Sequence, residues 1–163
     1  TGLGLTSNVS LGTGNPELEI DLYAGYATDL GGLSVDVGAL YYYYPGNDGF
    51  NYVELTSSVG TTVGPADISV GLAYAPSQGA LGDDDNTYVY ISGEVPLGES
   101  AFTLHGTFGY ENGAFGDNKK DWLVGFSADV GHGITATLDY VDSARSFSSA
   151  GDPTAVFSLA LAL

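Results

Sequence analysis

Carboxylates are the chemical group this chain holds in excess. Its 163 residues carry 20 acidic side chains against three basic ones, a formal net charge of −17. Glu17, Glu19, Asp21, Asp36, Glu54, Asp67, Glu94, Asp121, Asp129 and Asp139 recur at even spacings inside alternating segments, which would gather them on one face of a sheet. Lys119, Lys120 and Arg145 lie in or beside expected loops, so none is placed to pair with these carboxylates. Ionised carboxylates in a dry interior would each cost several kcal/mol. The face carrying them is therefore expected to be hydrated, to hold cations, or to keep some carboxyls protonated. Acidic pairs are too plentiful for any two to single out glycoside hydrolysis, which depends on one matched pair.

Other constellations are weaker. Asp83, Asp84 and Asp85 form a loop cluster that could ligate Ca²⁺ through oxygen. The spacing does not follow the usual calcium-loop pattern, and solvated loop acids are the plainer reading. His105 falls on the polar face and His132 in a Gly131-His132-Gly133 turn; a single inward histidine reads as a hydrogen-bonded wall residue rather than a catalyst. No Ser or Thr stands in a nucleophile-elbow context. Gly12-Thr13-Gly14 has no following helix with which to cradle phosphate. Cys and Met are absent, which removes thiol chemistry, disulfides and Cys-based metal sites. No enzymatic activity and no cofactor are expected, and the acidic surface excludes nucleic acid as a partner.

The elements that must position these residues are strands. Period-two alternation is plainest at the end of the chain, where Phe157, Leu159, Leu161 and Leu163 take one face and Ser158, Ala160 and Ala162 the other. Strands are expected near 2–11, 17–28, 32–44, 50–60, 65–76, 86–95, 100–111, 119–131, 133–143 and 153–163. The connections at 28–32, 61–64, 96–99 and 131–133 are tight and Gly-rich. Those at 12–16, 45–49, 77–85, 112–118 and 144–152 alternate with them, and the last three are longer. Short turns at one end and longer loops at the other is the layout of an outer-membrane barrel. The expected fold is all-β: an antiparallel up-and-down transmembrane β-barrel of about ten strands, residues 1–163 forming one domain.

The second face of the sheet is apolar, for example Leu18-Ile20-Leu22, Leu33-Val35-Val37 and Ile68-Val70-Leu72. With strand direction alternating, Tyr41, Tyr43, Tyr74, Tyr110, Trp122 and Tyr140 fall on that face at the long-loop rim, as an interfacial girdle would. Tyr is also a good strand former, which is the competing account. The opposite rim offers Tyr26. Tyr42, Tyr44, Tyr52, Tyr88 and Tyr90 point inward and would fill the outer mouth. Charged residues are only 14% of the chain, and no apolar run is long enough for a membrane helix. The hydrophobic content of 44%, regularly alternating, argues against disorder. The expected lumen-lining acids are Glu19, Asp21, Asp36, Glu54, Asp67, Glu94, Asp129 and Asp139. Partners would be the lipid bilayer or detergent, and small cations or solutes, with self-association as a further expectation. The alternative is a soluble or secreted β-rich barrel that buries its apolar face around a ligand or against copies of itself.

Several segments carry a family resemblance. Leu18-Glu19-Ile20-Asp21-Leu22-Tyr23-Ala24-Gly25-Tyr26, Val37-Gly38-Ala39-Leu40-Tyr41-Tyr42-Tyr43-Tyr44-Pro45-Gly46 and Tyr52-Val53-Glu54-Leu55 resemble the TorF-type porins, Gram-negative proteins that also appear as the Gcw_chp conserved-hypothetical family. Asp121-Trp122, Val124-Gly125 and Leu138-Asp139-Tyr140-Val141-Asp142 extend the pattern, which covers most of 8–143. The resemblance implies a bacterial outer-membrane location and a porin role, and it supplies no catalytic or binding residues. It also implies a signal peptide, an additional N-terminal hairpin and a terminal Phe. Against that pattern a chain beginning at Thr1 and ending Ala162-Leu163 is expected to be truncated, processed or engineered.

Overall fold

The alternation resolves into ten antiparallel strands in a computed structural model that describes residues 2–9, 18–145 and 151–161. They are β1 (Gly2–Val9), β2 (Leu18–Leu30), β3 (Leu33–Tyr43), β4 (Tyr52–Val63), β5 (Ala66–Gln78), β6 (Asp84–Pro96), β7 (Phe102–Gly113), β8 (Gly116–Gly131), β9 (Ile134–Ala144) and β10 (Thr154–Leu161). Single turns of 3₁₀ helix at Asp48–Phe50 and Gly79–Leu81 lie in two of the upper connections and pack against each other. The strands form one sheet in chain order, an up-and-down meander. The expected turn at 12–16, Glu17 and most of the connection at 144–152 lie outside the described residues.

Register follows the hydrophobic pattern, because a one-residue slip would move a whole strand's apolar set to the polar side. Leu22 pairs with Tyr41, Tyr41 with Val53, and Leu55 with Tyr74. Val70 pairs with Ile91, Val89 with Tyr110, Phe108 with Trp122, and Phe126 with Leu138. Apolar residues thus face apolar residues from β2 to β9. At the tight end, Leu30 pairs with Leu33 around Gly31 and Gly32, at φ +63° and +93°. Two successive positive φ angles give the turn whose twist suits a two-residue hairpin.

One expected loop is a hairpin instead. Residues 112–118 read as a connection because Asn, Gly and Asp dominate them. In the structure β7 runs on to Gly113 and β8 begins at Gly116, with a register shift between Glu111 and Gly113. The bulge absorbs the turn-forming residues and extends the strands, so Glu111 pairs with Lys119 and Tyr110 with Lys120.

The sheet is strongly curled, and its polar face is the concave one. Tyr52 on β4 and Phe115 at the β7–β8 tip have ring centroids 5.6 Å apart. Three strand steps on a flat sheet would separate them by about 14 Å. At the other end, Asp29 and Gly32 share one recess with Ser92, His105 and Thr107. The convex face is apolar and uncovered: Leu22, Val37, Val70, Ile91, Phe126 and Leu138 are all exposed. Among the described residues Ala75 is the one buried apolar side chain. The described part of the molecule therefore has no conventional hydrophobic core.

Closure is where the expectation fails. The sheet is not closed into a barrel: β1 pairs with β2 and β10 with β9, and no pairing joins β1 to β10 among the described residues. Every residue of β10 is exposed. Alternation determines which face a residue takes and which neighbour it meets. Closure depends instead on strand number, tilt and stagger acting together, which no single strand encodes.

Candidate functional site

The six residues expected to form a girdle all lie on one face of the sheet. Tyr41, Tyr43, Tyr74, Tyr110, Trp122 and Tyr140 share the convex face with Leu22, Leu55 and Phe108 through direct cross-strand pairs or same-strand alternation. All six lie toward the long-loop ends of their strands. Tyr41 and Tyr43 stack with centroids 6.3 Å apart. Tyr26, also convex and 53% exposed, lies nearer the tight turns.

Inside the curl, the long-loop end is filled. Tyr42 and Tyr52 stack at 4.2 Å, and Phe115 packs against Tyr52. Tyr44, beyond the end of β3, donates its hydroxyl to Glu19 Oε2. Burial first, then that bond to Glu19, hold the Tyr44 phenol well above its ordinary value. Tyr88 lies across Gly109, where a Cβ would collide with its ring, and its hydroxyl donates to Asp121 Oδ1 at 2.9 Å. Tyr90 stacks beside Tyr88 at 5.8 Å. The Tyr88 ring is accommodated because the strand position it crosses carries no side chain.

At the same long-loop end, level with Tyr88 and on toward the β7–β8 tip, lies a buried polar cluster that sequence reasoning missed. Glu111 is 8% exposed and Asn86 2%. Glu111 Oε2 accepts from Lys119 Nζ at 2.6 Å, and its Oε1 accepts from Asn86 Nδ2 at 3.0 Å. Asn86 Oδ1 in turn accepts from the Phe115 amide at 3.0 Å. Lys119, expected beside a loop and away from the polar-face acids named above, pairs instead with Glu111, an acid outside that set. It stands within β8, three residues inside the strand's start, and its side chain turns inward. The available signal was parity: with Tyr110 outward, Glu111 had to face in.

The expected lumen acids divide between two recesses and the walls. Asp21 and Asp36 line a cavity of about 630 Å³ against β2 and β3. Asp67 and Glu94 line one of about 490 Å³ toward the tight turns, with His105. Asp139 Oδ1 lies 2.7 Å from His105 Nε2. Glu54 is half-buried on the concave side of β4. Asp129 accepts from the Gly131 amide at 2.7 Å and so braces the β8–β9 turn. Glu19 is engaged by Tyr44, as above. Apart from Glu111, the carboxylates of the described strands remain exposed or half-buried, as charged groups on a wet surface must.

The Asp83, Asp84 and Asp85 cluster does not converge. Asp83 sits at φ +63° in the turn, and Asp84 and Asp85 open β6, where the Asp85 amide bonds to Asp84 Oδ1 at 2.9 Å. No group of His, Cys, Asp or Glu among the described residues could hold a metal ion. His132 occupies the β8–β9 turn at φ +58°. No helix among the described residues is long and apolar enough to cross a membrane, which says nothing of crossing by strands.

Fold and site together define an all-β, antiparallel up-and-down sheet, polar and acidic within its curl and apolar outside it. The chain belongs to the Gcw_chp family, described as a bacterial protein of unknown function, whose model matches residues 4–159. That span exceeds the 8–143 over which individual segments resemble the family. No curated protein and no solved structure matches the chain.

Proposed function

We propose that this chain is an outer-membrane β-barrel of the TorF type, a small channel whose acidic lumen favours cations. The observation that carries the reading is the inverted distribution of apolar surface. Large hydrophobic side chains cover the convex face while carboxylates and hydroxyls occupy the concave one. A soluble ligand-binding barrel would have the opposite arrangement, with its apolar face inside. An apolar band of this extent needs lipid or protein against it. The Tyr and Trp residues at its upper margin suit the boundary between hydrocarbon and water. The excess of acids along the interior would raise the local concentration of cations, as acidic rings do in pores. Tyr42, Tyr52 and Phe115 narrow the long-loop end, so the conductance would be small.

Planar-bilayer recording of the purified chain in a KCl gradient tests this. A small current with a reversal potential on the cation side supports it, and Asp36→Asn should fold normally while lowering that selectivity. Anion preference, or no current, overturns it. Extraction gives an independent check. A membrane barrel requires detergent and migrates differently on gels with and without heating, whereas a monomer soluble without detergent contradicts the reading.

A further inference from the structure

One row of residues crosses the concave face at a single level. Register places Thr62 opposite Asp67, Asp67 opposite Glu94, Glu94 opposite His105, His105 opposite Gly125, and Gly125 opposite Asp139. The row thus spans β4 to β9. His105 and Asp139 are separated by a whole strand, yet Nε2 lies 2.7 Å from Oδ1. They meet because β8 contributes a glycine at this level. A Cβ on Gly125 would collide with Asp139 Oδ1 and stand 2.8 Å from His105 Nε2. The pair is half-shielded, with side-chain exposures of 21% and 15%, beside the recess that Asp67, Glu94 and Asp29 also line.

Resting on the channel reading above, we infer that His105 is the residue that sets the lumen's cation preference according to pH. The groups facing it are Glu94 from β6, Asp139 from β9 across Gly125, and then Asp67 from β5 and Asp29 from the β2–β3 end. All are acidic; β8 presents only Gly125 at this level. Imidazole is the side chain whose charge changes between about pH 5 and 8. When the ring is neutral, its Nε2–H donates to Asp139 and the row keeps its full negative charge. When it is protonated, a positive charge stands against Asp139 and cancels one of the row's carboxylates. Replacing the imidazole alone leaves every carboxylate of the row in place, so its contribution to the field can be separated from theirs.

The test is the reversal potential of the natural chain and of His105→Gln at about pH 8 and about pH 5.5. The glutamine amide is uncharged throughout and still able to donate to Asp139. In the natural chain the cation-to-anion permeability ratio should fall by about twofold or more on acidification. In His105→Gln it should remain near the alkaline value. Equal falls in both overturn the inference while leaving the channel reading in place. Absence of current in both removes the channel reading and this inference with it. A second measurement bears on the pair itself. Ring ¹⁵N shifts at about pH 8 should report one fixed tautomer, protonated at Nε2, which Asp139→Asn releases. A mixed tautomer in the natural chain would overturn the pairing on which the inference stands.

Discussion

The Lys119–Glu111–Asn86 cluster is the best-satisfied polar assembly inside the curl, and it is also the most exposed to loss. Glu111 is buried and accepts at both oxygens. Removing the ammonium would strand a carboxylate that water reaches poorly. Lys119→Gln should therefore destabilise the fold by about 1–3 kcal/mol, measured by urea unfolding in detergent, and Glu111→Gln in the same background should recover part of the loss. No loss on Lys119→Gln would mean the pair adds nothing to stability. Tyr44 makes a second residue-scale expectation. Its phenol lies above the ordinary value of 10.0 because of burial and the bond to Glu19. A raised folded value means the neutral form is favoured by folding. The stability this adds is complete below about pH 10 and is lost as pH rises from there through the folded value. Tyr44→Phe should flatten that alkaline decline in a pH series of unfolding midpoints; an unchanged decline would assign it to other groups. His105 facing inward was legible from alternation alone. Its partnership with Asp139 was not, since nothing local joins positions 34 residues apart across an intervening glycine.

At the scale of elements, the strands were legible and their ends were not. Ten alternating segments became ten strands, and the tight connections fell at Gly31-Gly32 and Gly131-His132-Gly133 as their glycines suggested. The 112–118 segment failed because Asn, Gly and Asp serve equally well in a loop, a bulge or a short turn. Which of them forms depends on pairing with the next strand. The faces of β2 and β8 give the sharpest test of this level. Leu22 and Val124 lie on the convex side, 43% and 49% exposed, and both lie within their strands. Leu22→Arg or Val124→Arg should cost about 2–4 kcal/mol of folding stability in lipid vesicles, if those positions lie near the bilayer midplane. The same changes on an exposed strand in water would usually fall within about 0.5 kcal/mol. Harmless Arg substitutions would therefore place this face in water.

For the whole molecule the question is what happens at the two edges. β1 and β10 are paired on one side each among the described residues, so each presents a row of open amides and carbonyls. Soluble proteins protect such edges with Lys, Pro, bulges or shortness. β10, Thr-Ala-Val-Phe-Ser-Leu-Ala-Leu, has no charge and no proline, and its pairing with β9 runs without a register shift. β1, Gly-Leu-Gly-Leu-Thr-Ser-Asn-Val, is equally undefended. Within hydrocarbon each unpaired backbone group would cost several kcal/mol. On the membrane reading, an undefended edge and an apolar convex face make the same demand: both edges would have to be paired, with each other or with further strands. Residue-resolved hydrogen exchange across Thr154–Leu161 distinguishes the two states. In an open sheet, alternate amides bonded to β9 are protected and those between them exchange freely. In a closed assembly in lipid nanodiscs, both sets should be slow and should differ by less than about tenfold. Persistent alternation of fast and slow amides in lipid would show an edge that the bilayer tolerates, which its dielectric forbids, and would move the apolar face from lipid to a protein partner.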